Sequence, residues 1–191
     1  MKRFIPNILT MIRIFLVPIF ILSINSDLEN PYFFALLIFL LASITDYFDG
    51  KLARKLKVVS KFGIFMDPLA DKILVMTSFI IFLKIDLLSN IIFPWMVGLI
   101  LFRDLSVTLL RVFMKRANIT MVTSKVAKLK TGMQLLSIIL LLLLLSINTI
   151  FPIQIFSHYL KYLMIMLTLF TVYTGVDYYY RNLIIIINRL K

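Results

Sequence analysis

The sequence contains no cysteine, and its 191 residues include only five glycines and nine acidic side chains. The absence of cysteine excludes disulfide scaffolds, cysteine-ligated zinc and thiol catalysis. Charged residues are also scarce, at 16%, whereas 61% of the residues are apolar and the mean hydropathy is +1.00. A chain of this length has too little interior to hide so much apolar surface from water. The composition therefore excludes a soluble globular domain and a disordered chain, and it predicts a membrane protein that crosses the bilayer several times.

Six apolar segments of the chain are candidates for membrane spans. A helix needs about 20 mostly apolar residues to cross the hydrocarbon, and backbone groups in lipid must form their hydrogen bonds within the segment. We therefore predict an all-α fold with an N-terminal interfacial segment and six transmembrane helices. The predicted spans are Ile8–Ile24, Pro31–Thr45, Asp71–Ile85, Ile91–Leu110, Gly132–Phe151 and His158–Tyr179.

Two further features of organisation follow from the sequence. It shows no internal repeat, linker or break in composition, so residues 1–191 are predicted to form a single membrane domain. The apolar run Leu183–Ile187 fits either a short interfacial helix or an extension of the last span, and the sequence leaves both alternatives open.

The basic residues are distributed unevenly between the two sides of the predicted spans. Nineteen of the 21 lysines and arginines fall on one side, and only Lys84 and Lys161 fall on the other. The positive-inside rule then places both termini on the cytoplasmic side of the cell membrane (the inner membrane, where there are two). The net charge of +12 is explained by this topology and by attraction to anionic membrane lipids. We therefore expect membrane lipids as partners and no nucleic acid.

Four of the nine acidic residues, Asp46, Asp49, Asp67 and Asp71, lie within one 26-residue stretch. Their spacing of i,i+3 and i,i+4 places each pair on one face of a helix. Because the first pair closes one span and the second pair opens the next, the four carboxylates are expected to meet at the cytoplasmic membrane boundary. The alternative is four separate interfacial acids, each paired with a nearby lysine or arginine.

A cluster of four like charges requires positive charge for balance. All-oxygen ligands suit Mg²⁺ or Mn²⁺ rather than zinc or copper. Two divalent ions would balance four carboxylates and leave coordination positions open for phosphate oxygens. Such two-metal sites are suited to in-line displacement at phosphorus.

The residues around these carboxylates form a longer pattern. They read Asp46-x-x-Asp49-Gly50-x-x-Ala53-Arg54, eight residues, and then Gly63-x-x-x-Asp67-x-x-x-Asp71. This resembles the signature of the CDP-alcohol phosphotransferase family, with all eight specified positions present at the family's spacing. The resemblance implies transfer of a substituted phosphate from a CDP-linked donor to an alcohol, release of CMP, and a homodimer.

The resemblance also implies roles for individual residues. Asp46, Asp49 and Asp67 would be metal ligands, and Asp71 would be both a ligand and the general base. The implied CDP site consists of Asp49, Gly50, Ala53, Arg54 and Gly63. The small residues would let a bulky ligand approach the backbone, and the arginine could offer its guanidinium fork to a phosphate. The expected cofactor is two Mg²⁺ or Mn²⁺ ions in each active site.

The flanking segments resemble one branch of this family. The opening Ile5-Pro6-Asn7-x-Leu9-Thr10-x-x-Arg13 is similar to that of phosphatidylglycerophosphate synthases and the related cardiolipin synthases. Asn7, Thr10 and Arg13 are therefore candidate pocket residues, although Arg13 could also be a plain interfacial anchor. The ending Thr171-x-x-Thr174-Gly175-x-Asp177-Tyr178 is similar to that of phosphatidylglycerophosphate synthases.

The basic segment between the fourth and fifth spans bears on the acceptor alcohol. It contains Arg103-Asp104, Arg111 and Lys128-x-Lys130-Thr131, which resembles the phosphatidylglycerophosphate synthase pattern. Asp104 replaces the glutamate of that pattern, and Ala127 replaces a glycine. A dianionic acceptor phosphate needs several fixed cations, and the candidates are Arg103, Arg111, Lys128 and Lys130, with Thr131 as a further pocket residue. The same cations also lie where solvated charges of a cytoplasmic face would lie.

The sequence therefore predicts an enzyme that joins CDP-diacylglycerol and glycerol 3-phosphate to give phosphatidylglycerol phosphate and CMP. The main alternative is a cardiolipin synthase, or another family member with a different acceptor, because Arg-Asp also occurs in cardiolipin synthases. A channel or transporter would instead place acidic residues at mid-depth in several spans. Here the four motif acids cluster at one face of the membrane.

Overall fold

The computed structural model describes residues 5–56, 61–117, 125–151 and 157–190, and the side chains of 11–45, 72–114, 117, 126, 128–151 and 158–185. All regular elements within these residues are helical, so the prediction of an all-α fold is confirmed. The α-helices are α1 (Ile5–Ile24), α2 (Pro31–Leu56), α3 (Lys61–Phe82), α4 (Pro94–Arg116), α5 (Lys125–Ile150) and α6 (Ser157–Leu190). A short 3-10 helix, Asp86–Leu88, lies between α3 and α4.

Each helix overlaps one predicted span but differs from it at its ends. Helix α3 ends at Phe82 rather than at Ile85, α4 begins at Pro94 rather than at Ile91, and α5 ends at Ile150 rather than at Phe151. Helix α2 ends at Leu56 rather than at Thr45, and α3 begins at Lys61 rather than at Asp71. Helix α6 continues to Leu190, so residues 183–187 extend the last helix. The predicted spans are shorter than the helices because hydropathy falls at the first charged residues. The backbone hydrogen bonds of a helix continue through such residues.

The chain divides into two compact units, and the first consists of Met1–Ile81 and Ile138–Ile155. In this unit α1 packs against α2, with the ring centroids of Phe20 and Phe39 6.2 Å apart. Helix α2 begins at Pro31, where a missing N–H costs little. The side chain of Asn30 caps it by accepting a hydrogen bond from the Phe33 N–H at 3.0 Å. Asn30 Nδ2 also donates to the Ser146 carbonyl at 2.9 Å, which joins the start of α2 to the end of α5.

The second unit consists of Phe82–Ser137 and Phe156–Lys191. Helix α4 packs against α6 in this unit, and Ile100 and Met164 are among its fully buried side chains. The Lys161 ammonium lies 5.1 Å from the centroid of the Phe93 ring, a cation–π contact. This contact joins the beginning of α6 to the residue just before α4.

Large apolar side chains lie on the outer surfaces of the helices. Phe15, Leu22, Phe102, Phe113 and Met166 are each between 67% and 72% exposed. Within the described part of the chain, Lys128–Ile150 and His158–Ile185 are long and apolar enough to cross a membrane, and three other apolar stretches are shorter. Apolar surface on this scale marks a membrane or partner interface rather than a surface that faces water.

Candidate active site

The aspartate motif is carried by two helices of the structure. Asp46 and Asp49 lie in α2, and Asp67 and Asp71 lie in α3. The backbone is helical at all four positions, so each pair shares one face of its own helix. Gly50, Ala53 and Arg54 lie in α2 and Gly63 lies in α3. The side chains of these eight residues, and the segment 57–60 between the helices, lie outside the described residues, so the convergence of the four carboxylates stays a prediction.

The donor set of this motif decides which metal it fits. Four carboxylates without a sulfur or imidazole ligand suit hard divalent cations, in the manner of Mg²⁺ or Mn²⁺. Among the side chains that the structure describes, no group of three histidine, aspartate or glutamate residues could hold a metal ion. The motif on α2 and α3 is a candidate metal site because of the oxygen donors that its sequence supplies.

The N-terminal pocket candidates lie on α1. Asn7 and Thr10 belong to this helix, and their side chains lie outside the described residues. The Arg13 side chain is described, and the residue is only 2% exposed. An interfacial anchor would extend its guanidinium into the headgroup region, so the burial of Arg13 favours the pocket interpretation.

The four cations proposed for the acceptor phosphate fall into two classes by exposure. Arg111 on α4 and Lys128 on α5 are exposed, as is Thr131. In contrast, the side chains of Arg103 and Lys130 are only 11% and 3% exposed. Exposed cations are hydrated and screened by salt, whereas buried ones need partners in the protein. The structure therefore brings together Arg103 and Lys130 and leaves the other two cations at the surface.

Asp104 is the common partner of the two buried cations. Lys130 Nζ donates to both Asp104 carboxylate oxygens, at 2.5 and 2.7 Å. Arg103 Nη1 donates to Oδ1 at 3.0 Å, and Gln134 Nε2 lies 3.4 Å from Oδ2. Lys130 and Gln134 are four residues apart on α5, so both can reach one side chain of α4. A buried carboxylate with this many donors is well compensated for its loss of water.

Only part of the Arg103 guanidinium is used in this network. Nε and Nη2 are closed to solvent and have no hydrogen-bond partner among the described residues. The aliphatic part of the side chain passes over Gly175 of α6, where an added Cβ would lie 2.8 Å from Arg103 Cγ and 3.6 Å from Nε. Real Cβ atoms essentially never make so short a contact. Glycine at position 175 therefore allows Arg103 to lie against α6.

Sequence reasoning did not assign these contacts. Asp104 was identified only as a replacement for glutamate, and Gly175 only as part of a terminal resemblance. One available signal was a single carboxylate next to Arg103 within a strongly basic segment. Gln134 carried no signal, because an amide in an apolar helix has no characteristic spacing.

Comparison with known proteins identifies a family. A sequence model described as CDP-alcohol phosphatidyltransferase matches residues 3–174 of the chain. The chain is 38% identical over 172 residues to the CDP-diacylglycerol–glycerol-3-phosphate 3-phosphatidyltransferase of Rickettsia typhi. This similarity covers 89% of this chain and 93% of the relative. The chain is 32% identical over 191 residues to the protein of the same description from Bacillus subtilis, and this similarity covers 93% of this chain and 94% of that relative.

Proposed function

The chain belongs to the CDP-alcohol phosphatidyltransferase family, and on that premise we propose that it transfers the phosphatidyl group of CDP-diacylglycerol to glycerol 3-phosphate. The products are phosphatidylglycerol phosphate and CMP. The observation that carries this proposal is similarity over nearly the whole chain to relatives described as acting on these two substrates. The complete eight-residue signature between Asp46 and Asp71 supports the part of the proposal that concerns transfer from a CDP-linked donor.

Asp46, Asp49, Asp67 and Asp71 would hold two divalent cations. When bound, these ions would withdraw negative charge from the phosphate oxygens of the donor. The carboxylates position the ions, and the i,i+3 and i,i+4 spacing on helical backbone gives each pair a common face. Gly50, Ala53 and Gly63 leave room for the cytidine diphosphate, and Arg54 binds a phosphate oxygen.

The transfer itself is a single displacement at phosphorus. Asp71 accepts the proton of a terminal hydroxyl of glycerol 3-phosphate. The oxygen of that hydroxyl forms a bond to the β-phosphorus of CDP-diacylglycerol, which carries the diacylglycerol. The bond from this phosphorus to the oxygen bridging it to the α-phosphate breaks, and CMP leaves with that oxygen.

The acceptor is recognised by its phosphate. A dianion in a partly dry site needs charge-assisted hydrogen bonds from fixed donors. Among the four candidate cations, Arg103 suits this role best, because it is largely buried and two of its nitrogens have no hydrogen-bond partner among the described residues. Arg111 and Lys128 are exposed, and in this proposal they raise the local concentration of the anion.

An acceptor panel tests the proposed function. The purified protein would be given CDP-diacylglycerol with glycerol 3-phosphate, phosphatidylglycerol, inositol or serine, and CMP release would be measured. We expect turnover with glycerol 3-phosphate and at least about 100-fold less with the others, since a site built around a phosphate rejects acceptors that leave its buried cations unpaired. Turnover with phosphatidylglycerol and none with glycerol 3-phosphate would identify a cardiolipin synthase instead.

The assignment of this chain to a membrane rests on different evidence from the assignment of its spans and orientation. The apolar helices and the family make the chain a membrane protein. In addition, we propose six spans in the cell membrane, with both termini and the active site in the cytoplasm, and a homodimer as the family resemblance implies. The placement of 19 of the 21 basic residues on one side supports the orientation.

The orientation can be tested with single cysteines, because the sequence has none of its own. Ser89→Cys lies in the connection after α3, and Ala117→Cys follows α4 at the opposite predicted side; both positions are exposed. A membrane-impermeant maleimide applied to intact cells should label only the first variant. Opened membranes should allow labelling of both. The reverse pattern in intact cells would contradict the proposed orientation.

A further inference from the structure

Two buried polar groups of the second unit have no hydrogen-bond partner among the described residues. One is the Nε and Nη2 pair of Arg103, and the other is the hydroxyl of Thr171 on α6. Thr171 is fully buried, at 0% exposure. Buried donors without partners are rare in proteins and each costs stability. Their presence indicates that something outside the described side chains satisfies them.

The Thr171 hydroxyl differs from its neighbours on α6. A threonine inside a helix commonly donates to a carbonyl of the preceding turn. Thr168 does so to Met164 at 2.8 Å, and Thr174 donates to the Thr171 carbonyl at 2.8 Å. Thr171 shares their helix and their burial but not this bond. Its hydroxyl is therefore available to a ligand.

The Arg103 side chain and the Thr171 hydroxyl lie near the same part of α6. Gly175, which Arg103 crosses, follows Thr171 by four residues and lies one turn away on the same face. One turn is about 5.4 Å along the axis. This distance is within the reach of one phosphate group when two of its oxygens each accept a hydrogen bond of about 2.9 Å.

The Nε and Nη2 atoms of Arg103 indicate which class of ligand could bind here. Nε and Nη2 of arginine form the planar fork that binds two oxygens of a carboxylate or phosphate. Nη1 is held by Asp104, which fixes the plane of the fork. Asp104 is itself neutralised by Lys130, so it does not leave a net negative charge to repel an anion.

We propose that the Nε–Nη2 edge of Arg103 and the hydroxyl of Thr171 together bind one oxyanion between α4 and α6. The oxyanion is the phosphate of the acceptor, an assignment that rests on the proposed function. Thr171 is a binding residue in this proposal. Gly175 and Asp104 are positioning residues that hold Arg103 in place.

The main test removes the hydroxyl without changing side-chain volume. In Thr171→Val we expect the KM for glycerol 3-phosphate to rise about tenfold, as for the loss of one hydrogen bond to a charged group. We expect kcat and the KM for CDP-diacylglycerol to change less than about twofold, because those terms do not depend on this contact. Thr171→Ser keeps the hydroxyl and should restore the KM.

Thr168→Val is the matched control. It removes a buried hydroxyl from the same helix, but one whose partner is a carbonyl of its own helix. We expect its kinetic constants to stay within about twofold of wild type. Should Thr171→Val fold poorly, Arg103→Lys provides a second test, because lysine keeps the charge and lacks the fork. That variant should also raise the KM for glycerol 3-phosphate at least about tenfold.

Direct binding separates this proposal from the proposed function. Binding of inorganic phosphate to the protein without CDP-diacylglycerol is measured by equilibrium dialysis for wild type and both threonine variants. Weaker binding in Thr171→Val alone supports the oxyanion site, even if the acceptor panel identifies another acceptor. Equal phosphate binding and equal KM in Thr171→Val and Thr168→Val overturn the oxyanion site and leave the proposed function intact.

Discussion

The two polar regions of this chain balance their charges in opposite ways. On α2 and α3, four carboxylates of one sign lie within 26 residues, and the family resemblance assigns their neutralisation to bound cations. In the second unit, the Asp104 carboxylate is neutralised inside the protein by Lys130 and Arg103. In the function proposed above, the first region therefore depends on bound cations for its charge balance. Among the described residues, the second region already pairs its buried carboxylate, and the N–H groups at Nε and Nη2 of Arg103 have no partner there.

The largest expected effect comes from the first region and concerns the proposed base. Asp71→Asn should lower CMP release by about 10²- to 10⁴-fold, because an amide cannot accept the proton of the acceptor hydroxyl. The measurement is kcat with both substrates saturating, together with the unfolding transition in detergent. Asp27→Asn, an exposed carboxylate on the α1–α2 connection, is the control and should behave as wild type. Full turnover in Asp71→Asn would remove its role as base.

The next effect concerns the stability of the second region. Lys130→Met removes one of the two cations paired with the buried Asp104 carboxylate and leaves Arg103 in place, which should lower the free energy of unfolding by about 1.5–3 kcal/mol. The measurement is chemical unfolding in detergent. Lys128→Met, at an exposed position two residues away, should change it by less than about 1 kcal/mol. The double variant Asp104→Asn with Lys130→Met should recover part of the loss.

This prediction also decides between two roles of Lys130. The sequence resemblance assigns it to the acceptor phosphate, whereas in the structure its ammonium is bound to Asp104. Unchanged stability of Lys130→Met with a raised KM for glycerol 3-phosphate would favour the role in phosphate binding. A large loss of stability would favour the role in the network.

A smaller effect should come from the contact between Arg103 and α6. In Gly175→Ala the new methyl group would lie 2.8 Å from Arg103 Cγ, so the arginine must shift. We expect about a tenfold rise in the KM for glycerol 3-phosphate, since a displaced fork no longer aligns both of its hydrogen bonds. Gly98→Ala is the control, because an added Cβ there meets nothing within 4 Å. An unchanged KM in Gly175→Ala would show that the exact placement of Arg103 is unimportant.

The smallest effect should come from the exposed cations. Arg111→Gln should raise the KM for glycerol 3-phosphate less than about fivefold at low salt, and less still near 1 M salt, because exposed charges are screened. The KM measured across ionic strength checks this. A large effect that persists at high salt would place Arg111 in direct contact with the substrate.

The sequence was sufficient for the helical fold and for the family, because both depend on local patterns. Hydropathy marks apolar helices, and the eight motif positions lie within one short stretch. The pairing of Asp104 with Lys130 could not be predicted in the same way, since the residues are 26 positions apart and depend on how α4 meets α5. The contact of Arg103 with Gly175 links α4 to α6, and no sequence spacing encodes it.

The extension of α2 to Leu56 and of α3 back to Lys61 has a consequence for lipid handling. Beyond the apolar stretches Pro31–Thr45 and Lys72–Phe82, each helix continues for about 16 Å, and these two extensions carry all eight residues of the aspartate motif. An amphiphilic donor can then be processed where it resides, with its nucleotide hydrated and its acyl tails still dissolved among other lipids. Desorbing those tails would cost about 0.8 kcal/mol for every methylene, a barrier that helices of this length avoid.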